Sequence, residues 1–395
     1  MPLRRVDVDP VAALASIRET VPVARIGRML GLTVWLVTGY EHARAVLNDG
    51  SNYSNDIRPL LGASAETSIG GLGFTDPPEH TRLRKMITPE FTGRRLARLL
   101  PSIERIVEQR LDELDARDGV VDLVTEFAFP IPFFVICELL GLPVDDREYF
   151  RDLGGARFDV NGGGGGTFGA MSETRGFLLE AVRQQRAEPG DGLIGAIIRT
   201  HGEDISDATL AGLADGVFTG GYETSASMLA LGTLALMRDP DASRLLRSDD
   251  GVVDGVVDEL LRHLSVVQIA FPRFARDDMT LFGQPVKSGD VVICSLSGAN
   301  RDSIFGADSE RFDPSRARRP HVAFGHGLHR CIGAELARME MRAALGGFAR
   351  RFPQAALAVE PGALRFRDLS IVYGIQSLPV RLHASTAAAA SANPS

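Results

Sequence analysis

The order of apolar and polar positions predicts a chain built mainly of helices, with a few short strands between them. Thr33-Val34-Trp35-Leu36-Val37-Thr38 is a β-branched and aromatic run that ends at Gly39, which predicts a strand. Residues 41–48 carry helical spacing, and residues 51–74, rich in Ser, Asn and Gly, predict a long loop. Asp76-Pro77-Pro78-Glu79 opens a helix, because Pro is tolerated in a first turn and acids favour that end. Helical patterns follow over 93–116 and 125–141. The run NGGGGGTFG at 161–169 predicts a flexible hinge between two helical stretches, either an entropic linker or a mobile lid over a binding site. Residues 207–238 form one long helical pattern stopped by Asp239-Pro240. That length is far above the mean for helices, so it is expected to cross the whole molecule. A further helix is predicted over 252–264, strands near 279–282 and 291–296, a helix over 332–351, and strand-like segments within 356–382. The tail STAAAASANPS, 385–395, predicts disorder, leaving 1–384 as a single domain without internal repeats.

Composition narrows the class without naming a function. The chain has 395 residues, 44% hydrophobic and 24% charged, with a net charge of −8. That suits a soluble protein with a large core and gives no reason to expect a nucleic-acid partner. The N-terminal stretch has no sustained apolar run, so no signal peptide or membrane anchor is expected, and a cytoplasmic location is. Three cysteines are too few and too scattered for a disulfide scaffold, which fits a reducing compartment. Cys137 and Cys294 lie in apolar runs and read as core residues.

Cys331 has a different setting. Phe324-Gly325-His326-Gly327-Leu328-His329-Arg330-Cys331-Ile332-Gly333 is a glycine-punctuated loop, and Ala334-Glu335-Leu336-Ala337-Arg338-Met339 reads as a helix. A sulfur there meets unpaired amides and the positive end of the helix dipole. Such a setting lowers a thiol pKa and prepares the sulfur to bind a metal. The glycines let the backbone lie close to something flat or bulky. The loop resembles the haem-binding loop of the cytochrome P450 family, the haem-thiolate monooxygenases. Its pattern, Phe-Gly-x-Gly-x-His-x-Cys-x-Gly, is met at every fixed position. The resemblance extends from about Trp35 to Leu382. It implies a mainly-α P450 fold, a helical bundle with small β-sheets around a buried haem b (iron protoporphyrin IX). It also implies Cys331 as the iron ligand and Phe324, Gly325, His329 and Gly333 as haem-binding positions. A thiolate on haem iron favours O–O cleavage, so oxygen activation is expected and not oxygen storage. His326 falls at a variable position and reads as a solvent-facing or structural histidine.

Other constellations gain meaning from the same resemblance. Gly220-Gly221-Tyr222-Glu223-Thr224-Ser225 lies in the middle of the long helix. Each interior glycine costs about 1 kcal/mol relative to Ala, so two in succession suggest a bend or a close approach to the backbone. The segment resembles the family's Ala-Gly-x-Asp/Glu-Thr element. That implies Thr224 hydrogen-bonds on the oxygen-binding face and Glu223 helps to deliver protons. Gly220 in place of Ala implies more room or flexibility above the iron. Glu259 and Arg262, three apart, share a helix face and can pair. They resemble the family's Glu-x-x-Arg element, completed by Arg311 of Arg311-Phe312, which implies an anchor for the irregular segment carrying Cys331. His80 and Arg84, four apart, share another helix face. With Arg273 and His329 they match positions that bind the haem propionates, where arginine can grip a carboxylate bidentately.

The expected reaction is insertion of one oxygen atom from O2 into a hydrophobic small molecule, such as a secondary metabolite or a lipid-like compound. Oxidative aryl or phenol coupling, or a non-catalytic haem-binding role, are the alternatives. Candidate substrate contacts are the 53–74 loop, the 153–170 hinge, Leu213, Val217 and Gly221, with Val266 to Ile269 and Ser370 to Val372, a mostly apolar set. No flavin or nicotinamide site is apparent, so electrons are expected from a ferredoxin and its ferredoxin reductase. Arg82, Lys85, Arg94, Arg95, Arg98 and Arg330 suggest a positive docking patch for such an acidic partner. The same charges read equally as a solvated face.

Overall fold

A computed structural model describes residues 2–29, 31–58, 71–142, 165–248 and 250–383 of the chain. The apolar run around Trp35 forms the strand Leu32–Val37 in a five-stranded sheet. The sheet order is Val23–Met29, Leu32–Val37, Val291–Cys294, Arg273–Ala275, Tyr53–Ser54. Val291–Cys294 runs parallel to Leu32–Val37, with Val292 opposite Trp35 and Cys294 opposite Val37. The remaining pairings are antiparallel. Val37, Val291 and Val292 are fully buried, as continuous β-branched runs are when both sheet faces are covered. The Trp35 indole N–H donates to Asp290 at 3.0 Å, which satisfies its one polar atom.

Helices make the rest of the frame. Pro130–Leu140, with the sequence PIPFFVICELL, is buried around nearly its whole circumference, as an apolar helix must be. Cys137 within it and Cys294 in the sheet are core residues, and burial pushes both thiols up to about 12, which keeps them inert. The long pattern is the helix Asp207–Arg238, capped by Ser206, whose hydroxyl accepts from the Thr209 amide at 3.2 Å. It packs against Pro130–Leu140, Gly165–Ala187 and Ala334–Arg351. None of the helices among the described residues is long and apolar enough to cross a membrane.

Some expectations change. Residues 165–169, read as part of a hinge, belong to the helix Gly165–Ala187; residues 161–164 lie outside the described residues, as does the 385–395 tail. The 125–141 pattern divides into a π-turn, Val124–Ala128, and the helix Pro130–Leu140. The 291–296 strand stops at Cys294, because Ser295 caps a short helical turn, Leu296–Ala299, through the Gly298 amide at 3.0 Å.

The charged anchor is present, with one different member. Glu259 and Arg262 are 4% and 2% exposed, so their charges must be satisfied internally. Arg262 uses all five donors. Two go to the Glu259 carboxylate at 2.7 Å each, and three to the carbonyls of Asn300, Ser309 and Arg311 at 2.6, 2.8 and 3.0 Å. Arg311 therefore contributes its carbonyl, while its side chain is exposed. The guanidinium that completes the cluster is Arg316, 3.1 Å from Glu259. A turn between Asp313 and Arg316 brings that side chain back, and the Asp313 amide also donates to Glu259 at 3.0 Å. Arg262→Ala is expected to leave a buried carboxylate underpaired and cost about 3–5 kcal/mol. Urea denaturation checks this, and a loss below about 1 kcal/mol would remove the cluster's anchoring role.

Candidate active site

The cysteine loop is shaped by backbone hydrogen bonds and two left-handed glycines. The Gly325 amide donates to Val322 O at 2.8 Å, Arg330 N to Gly327 O at 3.1 Å, and Cys331 N to Phe324 O at 2.9 Å. Gly325 and Gly327 have φ of 68° and 70°. A Cβ on Gly327 would lie 2.5 Å from the Leu47 carbonyl oxygen, so the end of the helix Tyr40–Asn48 also demands glycine there. The loop is tied to the charged anchor's neighbourhood. Val322 N donates to Asn300 Oδ1 at 2.8 Å, and Asn300 Nδ2 donates to Ser265 Oγ at 2.8 Å. The Phe324 ring lies under the Arg338 guanidinium, 4.7 Å away.

Cys331 itself is open, at the start of the helix Ala334–Arg351. The expected lowering of the thiol pKa is opposed by the sulfur's surroundings. Although the residue is exposed, desolvation of the sulfur by the surrounding loop raises the pKa on balance, while the Gly333 amide and the nearby Arg330, Arg84 and Arg338 act in the other direction.

Beside the loop, positive groups gather from three parts of the chain. His80 and Arg84 come from the helix Glu79–Ile87, Arg273 from the strand Arg273–Ala275, and His329 from the loop. The His80 and His329 rings sit 4.3 Å apart. His80 is fully buried, with neither ring nitrogen hydrogen-bonded. Arg84 donates to the Arg330 carbonyl at 2.7 Å. Arg273, 3% exposed, donates to the Phe271 carbonyl at 3.0 Å. No carboxylate among the described residues forms an ion pair with Arg84 or Arg273. Burial first, and the adjacent Arg84, hold His80 down to about 4; burial, Arg273 and His80 hold His329 down to about 3. The buried Arg273 and half-buried Arg84, without an ion pair among the described residues, together with the orphaned ring nitrogens of His80, fit a ligand that carries carboxylates.

The long helix supplies the other side of the chemistry. From Leu210 to Leu234 every residue is buried except Gly216, Val217, Gly220, Gly221 and Thr224. Their spacing puts them on one face, so an otherwise internal helix opens along a single stripe. The two central glycines serve different ends. A Cβ on Gly221 would lie 2.8 Å from Ile136, whereas one on Gly220 would meet nothing within 4 Å. Gly220 is therefore space above the stripe and Gly221 a packing requirement. The Thr224 hydroxyl donates to the Gly220 carbonyl at 2.7 Å, a bond that also tends to bend a helix. Glu223 does not share this face. It is fully buried, with one carboxylate oxygen on Arg367 and the other without a hydrogen bond.

Sequence motifs missed three charged residues that matter here: Arg316, Arg367 and Glu340. Arg367 lies in the irregular stretch before Tyr373, where no local pattern marks it. Glu340, in the helix after the loop, is 3% exposed, and burial pushes its carboxyl up to about 8 against a hydrogen bond with Ser225. An acid inside an apolar helical stripe was the available signal.

The arrangement of cysteine loop, cationic cradle and opened helix can be set beside known proteins. The model of the cytochrome P450 family matches residues 17–146 and 170–358. The chain belongs to the cytochrome P450 family. Cytochrome P450 165B3 of Amycolatopsis orientalis is 38% identical over 386 residues, covering 96% of this chain and 97% of that one. The 6-deoxyerythronolide B hydroxylase of Saccharopolyspora erythraea is 35% identical and covers 95% of this chain and 96% of its own. The solved structure of OxyC, a P450 implicated in oxidative C–C coupling during vancomycin biosynthesis, is 38% identical with a TM-score of 0.85. It covers 96% of this chain and 95% of that one. Haem is thus the cofactor of this P450, and the cationic cradle suits its two carboxylates. Arg273→Leu or His329→Leu is expected to speed haem loss about tenfold or more, the worth of one charge-assisted contact. Transfer of haem to apomyoglobin measures it, and unchanged rates in both variants would remove these residues from haem binding.

Proposed function

We propose that this P450 inserts one oxygen atom from O2 into a hydrophobic small molecule, with Cys331 as the iron ligand. The observation that carries the reading is the single open stripe on the long helix, with Thr224 on it. Bound haem supplies oxygen activation, which a thiolate ligand favours by pushing electron density toward the iron. His80, Arg84, Arg273 and His329 would hold its carboxylates. Phe324, Gly325 and Gly333 shape the loop that presents the sulfur.

Thr224 has a definite polarity. Its proton is committed to Gly220 O, so its oxygen offers lone pairs to the open side. It acts as an acceptor, holding a proton donor, such as a water, at that face. Glu223 is turned away from the stripe, with one oxygen on Arg367, so it would pass protons to that face through a water on its other, unpartnered oxygen. Apolar side chains complete the pocket. Val217, Val267, Ile269 and Ile371 are only half-buried, and Phe271 is 47% exposed, as the lining of an apolar ligand site is. The 59–70 and 153–164 parts of the expected contacts lie outside the described residues. A second reading, oxidative coupling on a bulky aromatic substrate, is favoured by the unfilled space at Gly220 and the likeness to OxyC.

Electrons would come from an external ferredoxin and its reductase. The expected docking patch needs revision. Arg82 pairs with Glu79 and Arg95 with Glu90, which neutralises two members. Lys85, Arg94 and Arg98 are exposed, with no carboxylate paired to them among the described residues. Arg330 joins Arg44, Arg318, Arg319 and Arg338 around a cavity of about 350 Å³ beside the loop, where Arg44 pairs with Glu41 and Arg318 and Arg338 with the lining Asp258, leaving Arg319 and Arg330 without a paired carboxylate among the described residues. That concave, mostly cationic surface suits an acidic partner.

Thr224→Ala is the test of the oxygen chemistry. Reductant consumption should continue while product per reductant falls about tenfold or more and hydrogen peroxide rises to match. Product, peroxide and reductant are measured together, with a substrate found by its shift of the haem spectrum. Fully coupled turnover in the variant would place proton handling elsewhere.

A further inference from the structure

The N-terminal segment reaches across the molecule to the back of the pocket wall. Arg5 is the centre of that contact. Its Nε donates to Gln268 Oε1 at 2.9 Å, Nη1 to Leu264 O at 2.6 Å and Val8 O at 3.0 Å, and Nη2 to Ser265 O at 2.7 Å. The guanidinium also lies over the Tyr373 ring, 4.6 Å from its centre. Leu264 ends the helix Asp250–Leu264, so Arg5 places a cation on carbonyls that a helix C-terminus leaves unpaired. The next residue, Ser265, holds a left-handed φ of 40°, which turns the chain sharply into the stretch that follows.

That stretch has two faces. Val266 and Gln268 are buried on the side facing Arg5, while Val267, Ile269 and Phe271 are open on the other. Gln268 is fully buried and connects everything behind them. Its Nε2 donates to Leu3 O at 3.0 Å and to Ser370 O at 2.7 Å, and its amide donates to Ile371 O at 3.0 Å. Tyr373 N donates to Val266 O at 2.7 Å, and Val267 bridges to Val372. The segment is also pinned just after Arg5. Asp7 pairs with Arg238 at 2.9 Å, at the end of the long helix, and Asp9 with Arg301 at 3.0 Å.

We propose that Arg5 is a positioning residue for ligand size. By capping Leu264 and Ser265 and gripping Gln268, it fixes how far Val267, Ile269 and Ile371 stand into the pocket. This rests on the reading of their open face as the substrate wall. A planar fork is needed, because four acceptors, on Val8 and on the 264–268 stretch, are met at once. Arg5→Lys keeps the charge and loses the fork; Arg5→Met loses both and keeps the length.

The test uses the full-length holoenzyme and two haem ligands, imidazole and the bulkier 4-phenylimidazole, titrated by absorbance. In Arg5→Met the ratio of the two affinities is expected to change about tenfold, with imidazole affinity itself unchanged. Arg5→Lys is expected to move the ratio in the same direction by less. Amide hydrogen exchange over 266–271 and 370–373 should quicken in both variants, while the sheet core at 34–37 stays as protected as before. An unchanged ratio with unchanged exchange would overturn the proposal. So would equal weakening of both ligands together with faster exchange everywhere, which is general destabilisation. Failure of the unsubstituted protein to bind either ligand would instead contradict the haem-pocket reading, and the exchange measurement would still decide whether Arg5 holds the 266–271 stretch.

Discussion

Buried positive charge without a counter-ion is costly, and this chain brings the buried Arg273 and half-buried Arg84 together with His80 and His329, where no carboxylate among the described residues pairs with the arginines. The two histidines answer by staying neutral, with pKa values held at about 4 and about 3. The arginines cannot answer that way and rest on backbone carbonyls. The electrostatics of the fold are therefore incomplete until an anionic group enters. A helix, a sheet strand and a loop, far apart in sequence, must be held in register for that group to meet all four. The five-stranded sheet holds Arg273, and the packing around the helix Glu79–Ile87 holds His80 and Arg84.

Rigidity in the irregular chain before Cys331 comes from the opposite arrangement, in which every buried charge is satisfied. Glu259 receives Arg262, Arg316 and the Asp313 amide, while Arg262 spends its remaining donors on three carbonyls of the segment it anchors. A cluster of this kind adds little net stability over an apolar core, but removing one member leaves a charge stranded. The long helix makes the complementary choice and gives up packing. Its stripe is unfilled at Gly220, where a ligand is to lie, and the Thr224 hydroxyl turns back on Gly220 to shape the gap.

Local chemistry made much of this legible in the sequence. The cysteine loop declared itself through its glycines, and in the structure Gly325 and Gly327 take a left-handed φ and Gly327 lies against Leu47. The long helix was readable to its last residue because Asp239-Pro240 stops it, and in the structure Ser206 caps its start. What stayed hidden depends on how distant segments fold back. Arg311 and Arg316 are equally plausible partners for Glu259 until the Asp313 turn selects one. Glu223 and Thr224 are neighbours in the chain, yet about 100° apart around the helix, so one meets Arg367 and the other the open stripe. The grip of Arg5 on Gln268 spans 263 residues and leaves no local trace.

The central claim is that Cys331 binds haem iron as a thiolate, and an absorption spectrum of the reduced protein under carbon monoxide tests it most directly. The unsubstituted protein should show the red-shifted Soret band of thiolate-ligated haem, and Cys331→Ser, still folded, should lack it. The same red-shifted band in Cys331→Ser would mean that the ligand is another residue.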